Sequence, residues 1–150
     1  MLRGISFKFK NISNIVLLDI LGCIDVENYC WYNIESQTQI WDKTKKNNLL
    51  ASNYYDGATL RKEISLEHFA MFVKFQAYFK SSVFTDINTY DDFKNSDCQI
   101  MLLIHDCDFV EIYAKDKEVM DKFYNRALKL DCEEVEYTTD KNDGRTRMSF

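Results

Sequence analysis

The chain has 150 residues, a net charge of −5, 46% apolar and 29% charged residues, and 15% aromatics. Such a composition excludes a disordered chain and suits one domain with a substantial core. It also lacks the basic footprint that DNA or RNA binding requires, so nucleic acid is not an expected partner.

Arg3 to Lys10 alternates, with Ile5, Phe7 and Phe9 on one face, and predicts a half-buried strand running straight from the N-terminus, where no leader pattern appears. Ser13 is the expected cap of a helix carrying Val16, Leu17, Ile20 and Leu21, ended by Gly22. Tyr29 to Ile34 and Gln39 to Trp41 predict a hairpin around the polar segment 35–38. Residues 42–57 read as the least ordered stretch: a polar, basic loop, a short strand at Leu49 and Leu50, and a turn at Asp56-Gly57. A short helix over Thr59 to Ile64 follows.

Phe69 to Phe79 is the strongest predicted strand, with Phe69, Met71, Val73, Phe75, Ala77 and Phe79 on one face and a semi-apolar opposite face. That pattern places it near the middle of a sheet. Thr89 caps a short helix, Tyr90 to Asn95. Cys98–His105 and Phe109–Lys115 form an antiparallel hairpin, and Asp116 caps a long helix to Leu130. Cys132–Thr139 and Arg145–Phe150 predict a terminal hairpin around Asn142-Asp143-Gly144, whose outer strand offers an edge for dimerisation. The expected fold is therefore α+β: a single domain, 1–150, with a mostly antiparallel sheet in the order β-α-β-β-α-β-α-β-β-α-β-β and helices mainly on one face.

The aliphatic run Ile100 to Ile104 is far too short to cross a bilayer, and no membrane partner is expected. Five cysteines with no two-residue spacing point to free thiols in a reducing cytoplasm.

Chemistry is sparse. Four glycines at 4, 22, 57 and 144 build neither a phosphate loop nor a dinucleotide fingerprint, and no cofactor is expected. His105 and Cys107 would share a face of an extended strand, where a thiol beside an imidazole becomes a nucleophile. A polar hairpin tip pointing to water explains them more simply. Asp106, Asp108 and Glu111 suggest cation ligands but lack the glycine and spacing of a calcium loop, and His105, Asp106 and Asp108 are a thin divalent set. His68, beside Glu67, has no nucleophile near it in sequence. No catalytic, cofactor-binding or metal-ligating residue is therefore assigned. Among the rings flanking the basic loop, Trp31 and Trp41 read as core, and Tyr54 and Tyr55 as surface. The candidate surface patch is His105, Asp106, Asp108, Tyr54 and Tyr55.

Several segments, Arg3-Gly4-Ile5-Ser6-Phe7, Tyr29-Cys30-Trp31, Phe75-Gln76-Ala77-Tyr78, Thr89-Tyr90-Asp91-Asp92-Phe93, Asn95-Ser96-Asp97-Cys98 and Leu102-Leu103-Ile104-His105-Asp106, give the chain a family likeness. It resembles a family of small uncharacterised proteins of low-G+C Firmicutes, classed as a domain of unknown function. The resemblance spans nearly the whole chain, implies a single bacterial cytoplasmic domain, and carries no catalytic residues.

Charge is uneven: residues 85–121 hold ten acidic residues against three basic ones. The leading expectation is a non-catalytic interaction module with a basic protein partner, an immunity- or antitoxin-like protein being one concrete version. A small-ligand binder with an aromatic-lined pocket is the alternative. An enzyme using His105, Asp106 and Cys107 ranks last, and the sequence selects no oligomeric state.

Overall fold

A computed structural model describes residues 1–143 and 147–148. The chain order is β1 (Leu2–Lys8), α1 (Val16–Leu21), β2 (Tyr29–Asn33), β3 (Gln39–Asp42), β4 (Tyr54–Asp56) and α2 (Gly57–Ile64), then β5 (His68–Phe79), α3 (Tyr90–Lys94), β6 (Cys98–His105), β7 (Phe109–Ala114), α4 (Lys117–Lys129) and β8 (Glu133–Thr139). The strands form one sheet in the order β4-β2-β5-β6-β7-β1-β8, with β3 also paired to β5, and every pairing is antiparallel. The chain is an α+β domain. No helix among the described residues is long and apolar enough to cross a membrane.

Strand alternation sends two sets of side chains to opposite faces. One set, including Phe7, Trp31, Phe75, Leu102 and Ile112, packs with Leu17, Leu60 and Phe123 of α1, α2 and α4 in the larger core. The other set, Tyr78, Met101, Leu103 and Tyr113, packs beneath Ile87, Phe93 of α3 and Met148. Three helices thus cover one face, while the segment 80–96 straps the other. β1 lies so close to β7 that a Cβ on Gly4 would overlap the Ile112 carbonyl.

Local capping explains the helix starts. Asp56 accepts from the Thr59 N–H at 2.8 Å to begin α2, Thr89 and Asp92 form a reciprocal capping box on α3, and Asp116 accepts from the Glu118 N–H on α4. Ser13 does not cap α1. Its hydroxyl binds Asp19 and the Ile15 N–H instead. A side chain remote in sequence serves the helix: His68 of β5 accepts from the Leu17 N–H at 3.1 Å.

Three further expectations are corrected. β2 and β3 do not form a hairpin with each other. Both lie along one edge of β5, β2 on Phe75–Phe79 and β3 on His68–Phe72, because β4 occupies the other edge of β2. The strand β4 falls inside the stretch expected to be a loop, and near Leu49 only an isolated bridge between Asn48 and Trp41 forms. The single apolar face expected of β5 is interrupted. Gln39 pairs with Phe72 and Ile40 with Ala70, so one extra residue, Met71, switches the alternation. Ala70 and His68 therefore turn toward the core, and Phe69 turns out to stack on Trp41 at 5.7 Å. The expected terminal hairpin lies largely outside the described residues; its first strand, β8, pairs with β1. Within the expected strand Arg145–Phe150, residues 145, 146, 149 and 150 lie outside the described residues, and Met148 donates its N–H to the Asn88 carbonyl.

Candidate functional site

The five residues of the expected patch fall in two places. His105, Asp106 and Asp108 sit at the β6–β7 turn. Tyr54 and Tyr55 sit on β4, the sheet's edge among the described strands. In register Tyr54 opposes Tyr32, Tyr32 opposes Gln76, and Gln76 opposes Met101, so two strands intervene and His105 lies four residues further along β6. The patch is not one surface.

At the turn, Asp106 and Cys107 both adopt left-handed backbone, with φ of 51° and 73°. This bend carries Cys107 back onto β5, where its N–H donates to the Met71 carbonyl and its thiol meets the Met71 sulfur at 3.3 Å. Burial first, then the charges of Asp108 and Asp106, push the thiol pKa up, which opposes thiolate formation. His105 Nε2 pairs with Asp106 at 3.1 Å, and its ring lies edge-on to Phe72. Asp108 faces Lys8 at 3.9 Å. These contacts hold the turn together, the thiol against the Met71 sulfur and the imidazole against the Asp106 carboxylate. Among the described residues no three His, Cys, Asp or Glu side chains gather as a metal site.

The β4 edge is more informative. Tyr54 meets Tyr32 edge-on at 5.1 Å, and Tyr32 stacks on Phe84 at 4.3 Å. A hydrogen bond to the Cys30 side chain is the main cause that lifts the Tyr54 phenol to about 12. Tyr55 turns the other way, its hydroxyl accepting from the Ser52 N–H at 3.0 Å. The Tyr32 and Phe84 rings wall a cleft of about 370 Å³ whose rim carries Glu35, Asn53 and Asp86. Both carboxylates are exposed, and neither is in an ion pair with a described residue.

Phe84 and Asp86 reach this cleft from the 80–96 strap, which three bonds from β5 tie down. Tyr78 Oη and Gln76 Nε2 both donate to the Thr85 carbonyl, at 3.1 and 2.9 Å, and the Lys74 ammonium donates to the Ile87 carbonyl at 2.5 Å. Burial pulls the Lys74 pKa down, against the opposing charges of Asp86 and Asp92.

Asn33 lines the cleft at the end of β2. It follows Tyr29 and Trp31 on the inward side of the strand and is only 3% exposed. Its Nδ2 donates to the carbonyls of Leu50 at 2.8 Å and Ser52 at 3.2 Å. Its Oδ1 is buried with no hydrogen-bond partner. Swapping oxygen and nitrogen would set an acceptor against two carbonyls, so this orientation holds. A buried acceptor left unmatched is costly and marks a place where a donor belongs. Asn33 and Glu35 also line a second, partly open space of about 130 Å³, together with Thr38, Ile40 and residues 48–51.

Sequence reading missed Asn33, Glu35, Phe84 and Asp86. The available signal was Asn33 itself, a polar residue at an inward position of an alternating strand.

The chain matches the family described as "Protein of unknown function (DUF2691)" over residues 2–149, and belongs to that family. It is 32% identical over 150 residues to "Uncharacterized protein YncE" of Bacillus subtilis (strain 168), covering 98% of each chain. No solved structure matches it significantly.

Proposed function

We propose that this member of the DUF2691 family is a non-catalytic interaction module that receives a basic group of a protein partner in the cleft between β2 and the 80–96 strap. The observation that carries this reading is the convergence of two exposed carboxylates, Glu35 and Asp86, with the Tyr32–Phe84 ring stack on one concavity. Ring faces attract cations, and carboxylates orient them, so aromatic and acidic walls together recognise a positive group. The net charge of −5 and the acidic middle of the chain supply attraction at longer range. Covering a basic toxin, as an immunity or antitoxin protein does, is one concrete form of this role, and a cytoplasmic location suits it.

The test is calorimetric titration with a short peptide of mixed lysine and arginine at low salt. Binding is expected, weakened by added salt and weakened about fivefold by either Glu35→Gln or Asp86→Asn, the equivalent of about 1 kcal/mol. Absence of binding, or binding indifferent to both substitutions, overturns the reading.

A further inference from the structure

We infer that a separate concavity, on the flank of α4, is an anion site that receives a phosphate monoester group. This open space of about 380 Å³ is lined by Cys23, just past the end of α1, and by Lys122, Asn125, Arg126 and Lys129 of α4. The spacing explains the convergence. Residues 122, 125, 126 and 129 recur at intervals of three and four, so they share one stripe of the helix. Met120, Phe123 and Ala127 turn to the core from the same helix, which leaves the cationic stripe on its flank beside α1.

Three cations and no carboxylate line this hollow. That is a departure in a chain with 24 acidic residues against 19 lysines and arginines. None of the three forms an ion pair with a described residue, whereas Lys117 of the same helix pairs with Asp121 at 3.0 Å and Lys10 pairs with Asp131 at 3.6 Å. Lys122 and Arg126 stand four apart, where like charges destabilise a helix. The dipole at the helix end favours Arg126 and Lys129 in the last turn and gives nothing to Lys122. An anion among the three removes the repulsion.

Arg126 is held in place for that task. Its Nε donates to the Asp19 carbonyl at 2.7 Å, and a Cβ on Gly22 would lie 3.4 Å from one Nη. The guanidinium is thus laid across the end of α1, and its Nη groups keep no hydrogen bond to a described residue. Such a fork matches two oxygens of a tetrahedral anion. Lys122 and Lys129 flank it as point charges, and the Asn125 amide adds a neutral donor. The field at Cys23 agrees. Burial raises its thiol pKa, and the charges acting on it, Arg126 and then Lys122, both pull it down.

Charge selects the ligand. A phosphate monoester carries about 1.5 to 2 negative charges near neutral pH and three acceptor oxygens, where a carboxylate carries one charge. Three cations suit the former. A nucleic acid would need a longer basic track than one helix stripe on a chain of net charge −5. The hollow shares no lining residue with the cleft of Glu35 and Asp86, so the two sites stand or fall separately.

The experiment is a two-dimensional NMR titration of the labelled whole chain at constant ionic strength, read at the Asn125 side-chain amide and the Cys23 backbone. The probes are inorganic phosphate, acetyl-Gly-phosphoserine-Gly-amide and acetyl-Gly-Glu-Gly-amide. Both phosphate probes are expected to shift these signals, and the glutamate peptide to bind about fivefold more weakly. Tighter binding of the phosphopeptide than of phosphate assigns a phosphorylated protein side chain; the reverse order assigns a small free phosphate. Lys122→Gln and Lys129→Gln, both at exposed positions, should each weaken phosphate about fivefold and leave the melting temperature unchanged. Equal binding of the glutamate peptide, affinity that survives both substitutions, or unshifted Asn125 and Cys23 signals overturns the site.

Discussion

Asn33 and Leu50 hold each other in unusual states: the Asn33 amide donates to the Leu50 carbonyl at 2.8 Å, and Leu50 keeps left-handed backbone at φ 60°. The bond ties the segment after β3 to the end of β2, and so shapes both concavities. Asn33→Ala should destabilise the fold by about 1–3 kcal/mol, because the Leu50 carbonyl, in a buried bond, and the partly buried Ser52 carbonyl lose their donor. Amide hydrogen exchange should accelerate first around residues 48–53. Unchanged exchange there would show that the loop is held by other contacts.

A second relationship predicts pH dependence. The His68 Nδ1 sits 2.7 Å from the Leu66 carbonyl, which makes it the protonated nitrogen, and Nε2 accepts from the Leu17 N–H. The ring is thus neutral in the fold. Burial holds its pKa below the ordinary value of 6.5, although the Leu66 contact and the charge of Asp19 pull the other way. A folded-state pKa below the unfolded one means that the unfolded chain binds the extra proton first. Stability from this residue is complete above about pH 6.5 and is lost as pH falls from there through the lower folded value. His68→Gln can keep an acceptor for Leu17 without titrating. Thermal unfolding at pH 5 and pH 7.5 should therefore differ less in His68→Gln than in the wild type. An equal difference in both would assign the acid sensitivity to other groups.

The 80–96 strap places Phe84 and Asp86 at the cleft, so loosening it should weaken binding from a distance. Tyr78→Phe removes the donor to the Thr85 carbonyl and the acceptor for Gln76 Nε2. A stability loss of about 1–2 kcal/mol is expected, with faster exchange over residues 83–88. The affinity for a basic peptide should fall with it. A destabilised protein with intact affinity would show that the strap does not shape the site.

Gly4→Ala tests the close approach of β1 to β7. The added methyl meets the Ile112 carbonyl, which is backbone and cannot swing aside. The two strands must separate, at a cost of about 1–3 kcal/mol or more, read as a lowered denaturation midpoint. Wild-type stability in this variant would mean that the strands can part freely.

Local pattern made much of this fold legible. Thr89 with Asp92, and Asp116 before α4, announced their helices through capping chemistry that acts within a few residues. The continuous apolar run of β5 announced a central strand. Long-range choices were not legible. Ser13 has the right chemistry to cap α1, but His68, fifty-one residues from the amide it accepts from, takes that work. The bulge at Met71 reverses a face without altering composition, and β4 is a three-residue strand whose partner, not its sequence, makes it extended. The candidate site was half visible. Tyr54 does flank the cleft, while His105 and Asp108 stand at a separate turn. Phe84 and Asp86 approach Asn33 only because Thr85 is tied to Gln76 and Tyr78.

The most direct measurement is a two-dimensional NMR titration of the isotope-labelled protein with the mixed basic peptide. Shifts are expected to concentrate on the side-chain amides of Asn33 and Asn53 and on the backbone of residues 32–35 and 84–86. Shifts centred on the His105–Asp108 turn, or spread evenly over the acidic surface, would contradict binding in the cleft.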